Sequence, residues 1–290
     1  MRLSTAPVRA PVVVATPAAM LALSSGWRLA GHSIGLVPTM GALHAGHMSL
    51  VERARAQNDR VAVSIFVNPL QFGPGEDFRR YPRRLEDDLG RLAEAGIDAV
   101  YTPSPADMYP SGTATKVHVE RLAEVLEGAH RPGHFDGVAT VVTKLFNAVR
   151  PDRAYFGQKD AQQVAIIKRL ARDLDTGVVV VVAPTVREPD GLALSSRNIF
   201  LSAAERVASL SLSRALRTAA TAYADGERDA VRLKAVLTQV LAAEPLARVD
   251  YAEVVDPQTF EGLGTLAVIA ARIGGTRLID NHDLSEPAPG

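Results

Sequence analysis

Cysteine is absent from this 290-residue chain, which removes disulfides, cysteine metal sites and thiol nucleophiles and suits a reducing compartment. An excess of either charge is missing too. Thirty-two basic residues balance 32 acidic ones, which argues against a broad electrostatic footprint for nucleic acid or an anionic membrane, so any phosphate binding must be local. No stretch reaches the ~18 to 20 uninterrupted apolar residues of a membrane helix. The run Val12-Val13-Val14-Ala15 behind Arg2 imitates a secretory signal, but Pro7, Pro11 and Pro17 interrupt it, so a cytoplasmic protein with a loose N-terminal extension is expected. Two nucleotide motifs are also lacking: no Gly-x-x-x-x-Gly-Lys-Ser/Thr occurs, and no Gly-x-Gly-x-x-Gly follows the first strand.

What is present is ordinary globular usage, 47% hydrophobic and 22% charged, in a length that suits one large and one smaller domain. Ile34 to Val37 is a short apolar run that meets Pro38 and Gly41, after which Leu50, Val51 and Ala54 recur at helical spacing. Val61 to Val67 follows as a strand covered on both faces, Leu85, Leu89 and Leu92 mark a helix, and Ala99 to Thr102 a strand. After an excursion at Lys116 to Glu120, a helix is predicted over 138–149, a strand over 153–156, a helix over 160–174 and a strand over 178–182. This alternation predicts a Rossmann-like α/β domain with a parallel sheet, over residues 1–185. The pattern then changes. The capping-box spacing Ser202-Ala203-Ala204-Glu205 opens a long helix, a second spans 230–243, and 249–255 and 267–273 read as strands, predicting a smaller α+β domain over 186–290.

Four clusters carry candidate chemistry. In Pro38-Thr39-Met40-Gly41-Ala42-Leu43-His44-Ala45-Gly46-His47, two imidazoles three residues apart at a helix start point the same way, the glycines admit a ligand to the backbone, and the helix N-terminus favours phosphate. Capping and packing of a helix, or two of three zinc ligands, are the competing readings of these histidines. Asn68 and Gln71, after the second strand, offer neutral amides where strand ends collect ligands, against the alternative of a plain Asn-Pro turn. Phe156-Gly157-Gln158-Lys159-Asp160 leads into Gln162 and Gln163. There Lys159 offsets phosphate charge and Asp160 caps a helix or holds a magnesium-bound water; otherwise they form a solvated pair. Leu194-Ser195-Ser196-Arg197-Asn198, after the turn Pro189-Asp190-Gly191, groups hydroxyls and a guanidinium suited to phosphate oxygens, or is a polar hairpin.

Together these segments, with Arg131-Pro132-Gly133-His134-Phe135-Asp136-Gly137 and Thr276-Arg277-Leu278-Ile279-Asp280-Asn281, resemble the pantothenate synthetase family over about residues 34–282. The His-x-Gly-His element alone is shared with a wider nucleotidyltransferase superfamily. The resemblance implies a homodimer, with a small domain closing over an ATP site, that joins pantoate to β-alanine through a pantoyl-adenylate at the expense of ATP and with magnesium. It implies that Met40, Gly41, Ala42, Leu43, His44, Ala45, Gly46 and His47 surround ATP, with His44, His47 and Lys159 catalytic. Gly157, Gln158, Asp160, Val186, Leu194, Ser195, Ser196 and Arg197 complete the nucleotide site. Gln71 and Gln163 hold pantoate with Asn68 beside them, and Asp87 or Asp88 places magnesium. Leu194 stands where the family usually has Met, an exchange that conserves volume, and Ala45 replaces a frequently acidic residue. A nucleotidyltransferase with a phosphate-bearing acceptor would need a basic acceptor pocket, whereas Gln71, Gln162 and Gln163 suit a weakly charged acid; an ATP-binding module without turnover would need no acceptor site.

Overall fold

The computed structural model describes residues 10–289. In chain order its strands are β1 (Val12–Val14), β2 (Ile34–Thr39), β3 (Arg60–Ile65), β4 (Ala99–Tyr101), β5 (Arg153–Gly157), β6 (Val179–Ala183), β7 (Ala247–Val255), β8 (Leu266–Ile273) and β9 (Thr276–Asp283). Its helices are α1 (Pro17–Leu29), α2 (Ala45–Gln57), α3 (Leu85–Glu94), α4 (Pro105–Met108), α5 (Glu127–His130), α6 (His134–Val149), α7 (Ala161–Asp173), α8 (Ala203–Ala208), α9 (Leu210–Ala224) and α10 (Ala230–Ala242). Short 3-10 turns cover Pro69–Gln71, Asp77–Arg79, Gln158–Asp160 and Ser196–Phe200. No helix among the described residues is long and apolar enough to cross a membrane.

Contacts divide the chain into two units, one of residues 1–119, 133–156 and 167–183, the other of residues 120–132, 157–166 and 184–290. The first is built on a six-stranded sheet of order β1-β4-β3-β2-β5-β6, in which β1, β4, β3, β2 and β5 pair in parallel. Val61, Ala62, Val63 and Ser64 of β3 are all buried, as a strand covered on both faces requires. The strand order reverses between β2 and β5, and open α/β sheets bind ligands outside the strands' carboxyl ends at such a reversal.

The N-terminal segment departs from the sequence expectation. Arg2 and Pro7, part of that reading, lie outside the described residues, but Val12–Val14 pairs with Ala99–Tyr101 rather than hanging loose. Pro17 opens α1 instead of breaking structure, because proline at a first helical turn sacrifices an amide with no intrahelical partner, and Thr16 caps Ala19 N. On α1, Met20 is fully buried, and the Ser24 hydroxyl donates to the Ala148 carbonyl at the end of α6.

In the second unit β7, β8 and β9 form an antiparallel sheet whose apolar face meets α9 and α10 through Leu212, Leu216, Leu233, Leu237, Leu241, Ile269 and Ile273. The long helix expected after Ser202 is divided at Ser209, which ends α8 and begins α9. The capping box is present: Glu205 N donates to Ser202 Oγ and Ser202 N to the Glu205 carboxylate. β9 was not anticipated as a strand, because Thr276-Arg277-Leu278-Ile279-Asp280-Asn281 mixes polar residues on both faces; Asp280 and Asn281 are buried by partners rather than by hydrophobicity.

Because α1 packs on α6, replacing Met20 with Ala is expected to lower the unfolding free energy by about 2–5 kcal/mol, the cost of a core Met-to-Ala change. Urea denaturation checks this; a loose extension would show almost no change.

Candidate active site

Within the first unit the site begins where β2 ends. Thr39 Oγ1 donates to the Ser64 carbonyl and accepts from Gly41 N, turning the chain out of the sheet. Gly41 and Ala42 then take positive φ of 82° and 52°, and a Cβ at Gly41 would lie 3.0 Å from both Asp88 Oδ2 and Ile65 Cγ2, so glycine is required. Asp88, on α3 and 2% exposed, accepts from Ala42 N through Oδ2 and from Leu43 N through Oδ1, each at 2.8 Å. Arg91, one helical turn later, donates to the Leu43 carbonyl at 2.6 Å. Thus α3 grips the loop through both backbone polarities.

His44 is the N-cap of α2. Its Nδ1 accepts from Gly46 N at 3.1 Å, and His47 Nδ1 accepts from His44 N at 3.3 Å, a capping box made of two histidines with ring centroids 4.0 Å apart. A backbone amide can only donate, so each Nδ1 must carry a lone pair and each neutral ring carries its proton on Nε2. The capping reading and the ligand reading of these histidines are therefore compatible: the Nδ1 edge holds the helix, and the Nε2 edge takes no part in the cap.

The second group of candidates in this unit is the turn Pro69–Gln71. Asn68 is 1% exposed and its side chain accepts from Leu70 N. The turn is held from α6, where His134 Nδ1 lies 2.7 Å from the Gln71 carbonyl. Since a carbonyl only accepts, His134 carries its proton on Nδ1, opposite to His44 and His47. A Cβ on Gly137 would come within 2.4 Å of the Leu70 carbonyl, which explains a glycine inside a helix.

The other unit carries the remaining candidates. Gly157, Gln158, Lys159 and Asp160 lie at the end of β5 and in the 3-10 turn before α7. Asn281 of β9 donates through Nδ2 to the carbonyls of Gln158 (3.0 Å) and Lys159 (2.9 Å). Its neighbour Asp280, pointing the other way from the strand, binds Arg187 through two bonds of 2.7 and 2.9 Å. Arg187 Nη1 also donates to the Gly191 carbonyl, while Leu194 N donates to the Val186 carbonyl, closing the loop that leads to Ser195, Ser196 and Arg197. Ser195 Oγ accepts from Arg197 N, and Asn198 Nδ2 donates to Glu188 and to the Ala193 carbonyl. Adjacent residues of β9 thus hold the Lys159 turn and the Ser195–Arg197 loop.

Gln162, grouped by sequence with the acceptor-binding amides, is 6% exposed and engaged elsewhere: Nε2 donates to the Leu122 and Val125 carbonyls and Oε1 accepts from Glu127 N. Gln163 is half-buried. Glu127, 5% exposed, receives Arg277, Arg131 and the Tyr251 phenol, and Arg277 also reaches Asp250. Burial first, then the Glu127 charge, pushes the Tyr251 phenol up, so it stays a donor.

Asp87 and Asp88, which the resemblance connects with magnesium, sit in different surroundings. Asp88 spends both oxygens on backbone amides, Asp87 is exposed on the first turn of α3, and no cluster of three histidines or carboxylates that could hold a metal occurs among the described residues. The sequence signal, two adjacent acids, cannot tell a cation ligand from a carboxylate that caps a loop.

The sequence profile described as pantoate–β-alanine ligase matches residues 12–283. The chain belongs to that family. A pantothenate synthetase of Rubrobacter xylanophilus is 56% identical over 282 residues, covering 93% of this chain and 97% of that protein. One of Chloroflexus aurantiacus is 57% identical over 260 residues, covering 88% and 92%. Among solved structures, the pantothenate synthetase of Thermus thermophilus superposes with a TM-score of 0.89 at 48% identity, covering 94% of this chain and 99% of that one. The pantoate–β-alanine ligase of Francisella tularensis, solved with β-γ ATP and β-alanine, gives 0.79 at 33% identity, covering 96% and 100%. The Rossmann-like parallel sheet and the small antiparallel sheet are those of this ligase family.

Two substitutions test the ligase site's scaffolding. Asp88→Ala leaves the Ala42 and Leu43 amides without their acceptor and is expected to cost about 1–3 kcal/mol of stability, with weaker ATP binding by calorimetry. Asp280→Ala strands the Arg187 guanidinium, 11% exposed, and is expected to cost about 3–5 kcal/mol in urea denaturation.

Proposed function

We propose that the chain condenses pantoate with β-alanine to pantothenate, AMP and pyrophosphate through a pantoyl-adenylate. The observation that supports this most is the histidine capping box of a pantoate–β-alanine ligase family member: two rings fixed by backbone amides, each with its N–H edge turned from the cap, at the N-terminus of the 13-residue helix α2. Helix N-termini favour anions through unpaired amides and the macrodipole.

An amine does not displace the oxygen of a carboxylate at useful rates, so the acid is first converted to a mixed anhydride. In the first step the pantoate carboxylate attacks the α-phosphorus of ATP in line, and the bond to the bridging oxygen breaks, releasing pyrophosphate. In the second the neutral amine of β-alanine attacks the pantoyl carbonyl and AMP departs with the former carboxylate oxygen. Neither step uses a covalent enzyme intermediate.

The residue roles we propose follow from chemistry. His44 and His47 donate to phosphate oxygens as neutral N–H groups, while Lys159, Ser195, Ser196 and Arg197 meet the charge that builds in the transition state. Met40, Gly41, Ala42, Leu43, Ala45 and Gly46 offer backbone to the nucleotide, as do Gly157, Gln158, Asp160, Val186 and Leu194. Gln71 and Gln163 hold pantoate through neutral amides. Magnesium enters with ATP, in keeping with its habit of retaining water and phosphate ligands, and Asp87 or Asp88 helps to place it. The ATP and pantoate functions are assigned to residues 1–185 apart from the contacts named in 186–290, and a cytoplasmic homodimer is the working form.

Lys159→Ala and His47→Ala are each expected to lower adenylate formation by about 100-fold or more, the usual loss for one preorganised donor, with the fold retained by circular dichroism. The assay is pyrophosphate release from ATP, magnesium and pantoate, with and without β-alanine. Pantoate-dependent release with stoichiometric pantothenate on adding β-alanine is expected; its absence from folded, ATP-binding protein overturns the assignment.

A further inference from the structure

Asn68 has no hydrogen-bonding capacity left for a substrate. Its Nδ2 donates to Gln71 Oε1 and to the Gly137 carbonyl, both at 3.0 Å. Its Oδ1 accepts from Leu70 N at 3.2 Å and from the Tyr109 phenol at 2.7 Å. An amide side chain has two donor hydrogens and two acceptor lone pairs, and all four are taken by protein.

Two of these partners also fix which way the amide points. The Leu70 N–H can only donate and the Gly137 carbonyl can only accept, so exchanging Oδ1 and Nδ2 would break both bonds. With Asn68 fixed, the Tyr109 hydroxyl must donate. Gln71 must then turn Oε1 to Asn68, and its Nε2 is directed to the Met40 side, 3.5 Å from Sδ. Met40 belongs to the loop that the ligase reading gives to ATP. The Gln71 backbone is fixed as well, by His134 at its carbonyl and by Gly137 against its amide.

We propose that Tyr109 and Asn68 are positioning residues for the acid substrate. Through them the Gln71 amide is held with its oxygen to Asn68 and its N–H end on the Met40 side, the orientation in which it donates to a carboxylate or hydroxyl oxygen of the substrate. Tyr109 follows α4, 41 residues from Asn68 in sequence, and no motif marks it. Its ring lies 6.1 Å from that of Phe66, and burial pushes its phenol well above the ordinary range, so it remains a donor throughout the working pH range. Without the phenol, Asn68 Oδ1 keeps only the longer bond from Leu70 N, and the amide that orients Gln71 is freer to swing.

The inference rests on the reading that Gln71 holds pantoate, and the test separates the two. Steady-state kinetics are measured for wild type, Tyr109→Phe, Gln71→Ala and the double variant, varying pantoate and ATP in turn. Tyr109→Phe is expected to raise KM for pantoate roughly 5- to 30-fold, the effect of one lost buried hydrogen bond, with KM for ATP within about twofold. In the Gln71→Ala background the same change is expected to add less than about twofold, as residues acting through one another are not additive. Asn68→Asp, which keeps the acceptor oxygen and removes the donors to Gln71 and to the Gly137 carbonyl, is expected to share the pantoate-selective rise. If Gln71→Ala leaves KM for pantoate unchanged, the reading of Gln71 fails and this proposal with it. If Gln71→Ala raises it but Tyr109→Phe does not, or multiplies the loss in the double variant, Gln71 stands and the positioning role is overturned.

Discussion

The carboxylate of Asp88 is the constraint on which the candidate residues of the first unit depend. Residues 41 and 42 sit in a left-handed conformation that an alanine at 42 does not choose unaided, and two amides there point inward with no strand or helix to receive them. One buried carboxylate receives both, with Arg91 closing the carbonyl side. Only with that loop fixed does His44 arrive at the cap position, and only with His44 at the cap does His47 find an amide to accept from.

A second principle runs through both units: backbone groups, which have one hydrogen-bonding role each, dictate the roles of side chains that have two. Amides set the tautomers of His44 and His47, a carbonyl sets the opposite tautomer of His134, and a carbonyl and an amide together set Asn68. In the other unit the carbonyls of Gln158 and Lys159 orient Asn281, and the alternation of β9 sends Asp280 to Arg187. Donors aimed in this way need no reorganisation when charge develops, which is the physical content of preorganised catalysis.

The sheet strands were legible because Val61–Val63 and Ile34–Val37 are apolar without interruption, and the capping box at Ser202 was legible because its spacing is local. The four motif clusters were visible as ligand-like residues at strand ends. What the sequence hid was partnership over long separations: Asp88 with residue 42, Tyr109 with Asn68, Glu127 with Arg277. The partners of Gln162 were hidden too, because an amide in a motif has the same letters whether it faces a substrate or a backbone. The N-terminal strand was missed because prolines that break a signal sequence also begin helices, and β9 because its buried face is polar.

Histidine tautomers report most directly on the claim that backbone fixes the chemistry of the site. Long-range proton–nitrogen correlation on histidine-labelled protein at mildly alkaline pH distinguishes the two forms. The account predicts His44 and His47 protonated on Nε2 and His134 on Nδ1 in one spectrum. His44 or His47 carrying its proton on Nδ1 would contradict the capping box, and with it the proposal that these rings meet phosphate through fixed N–H groups.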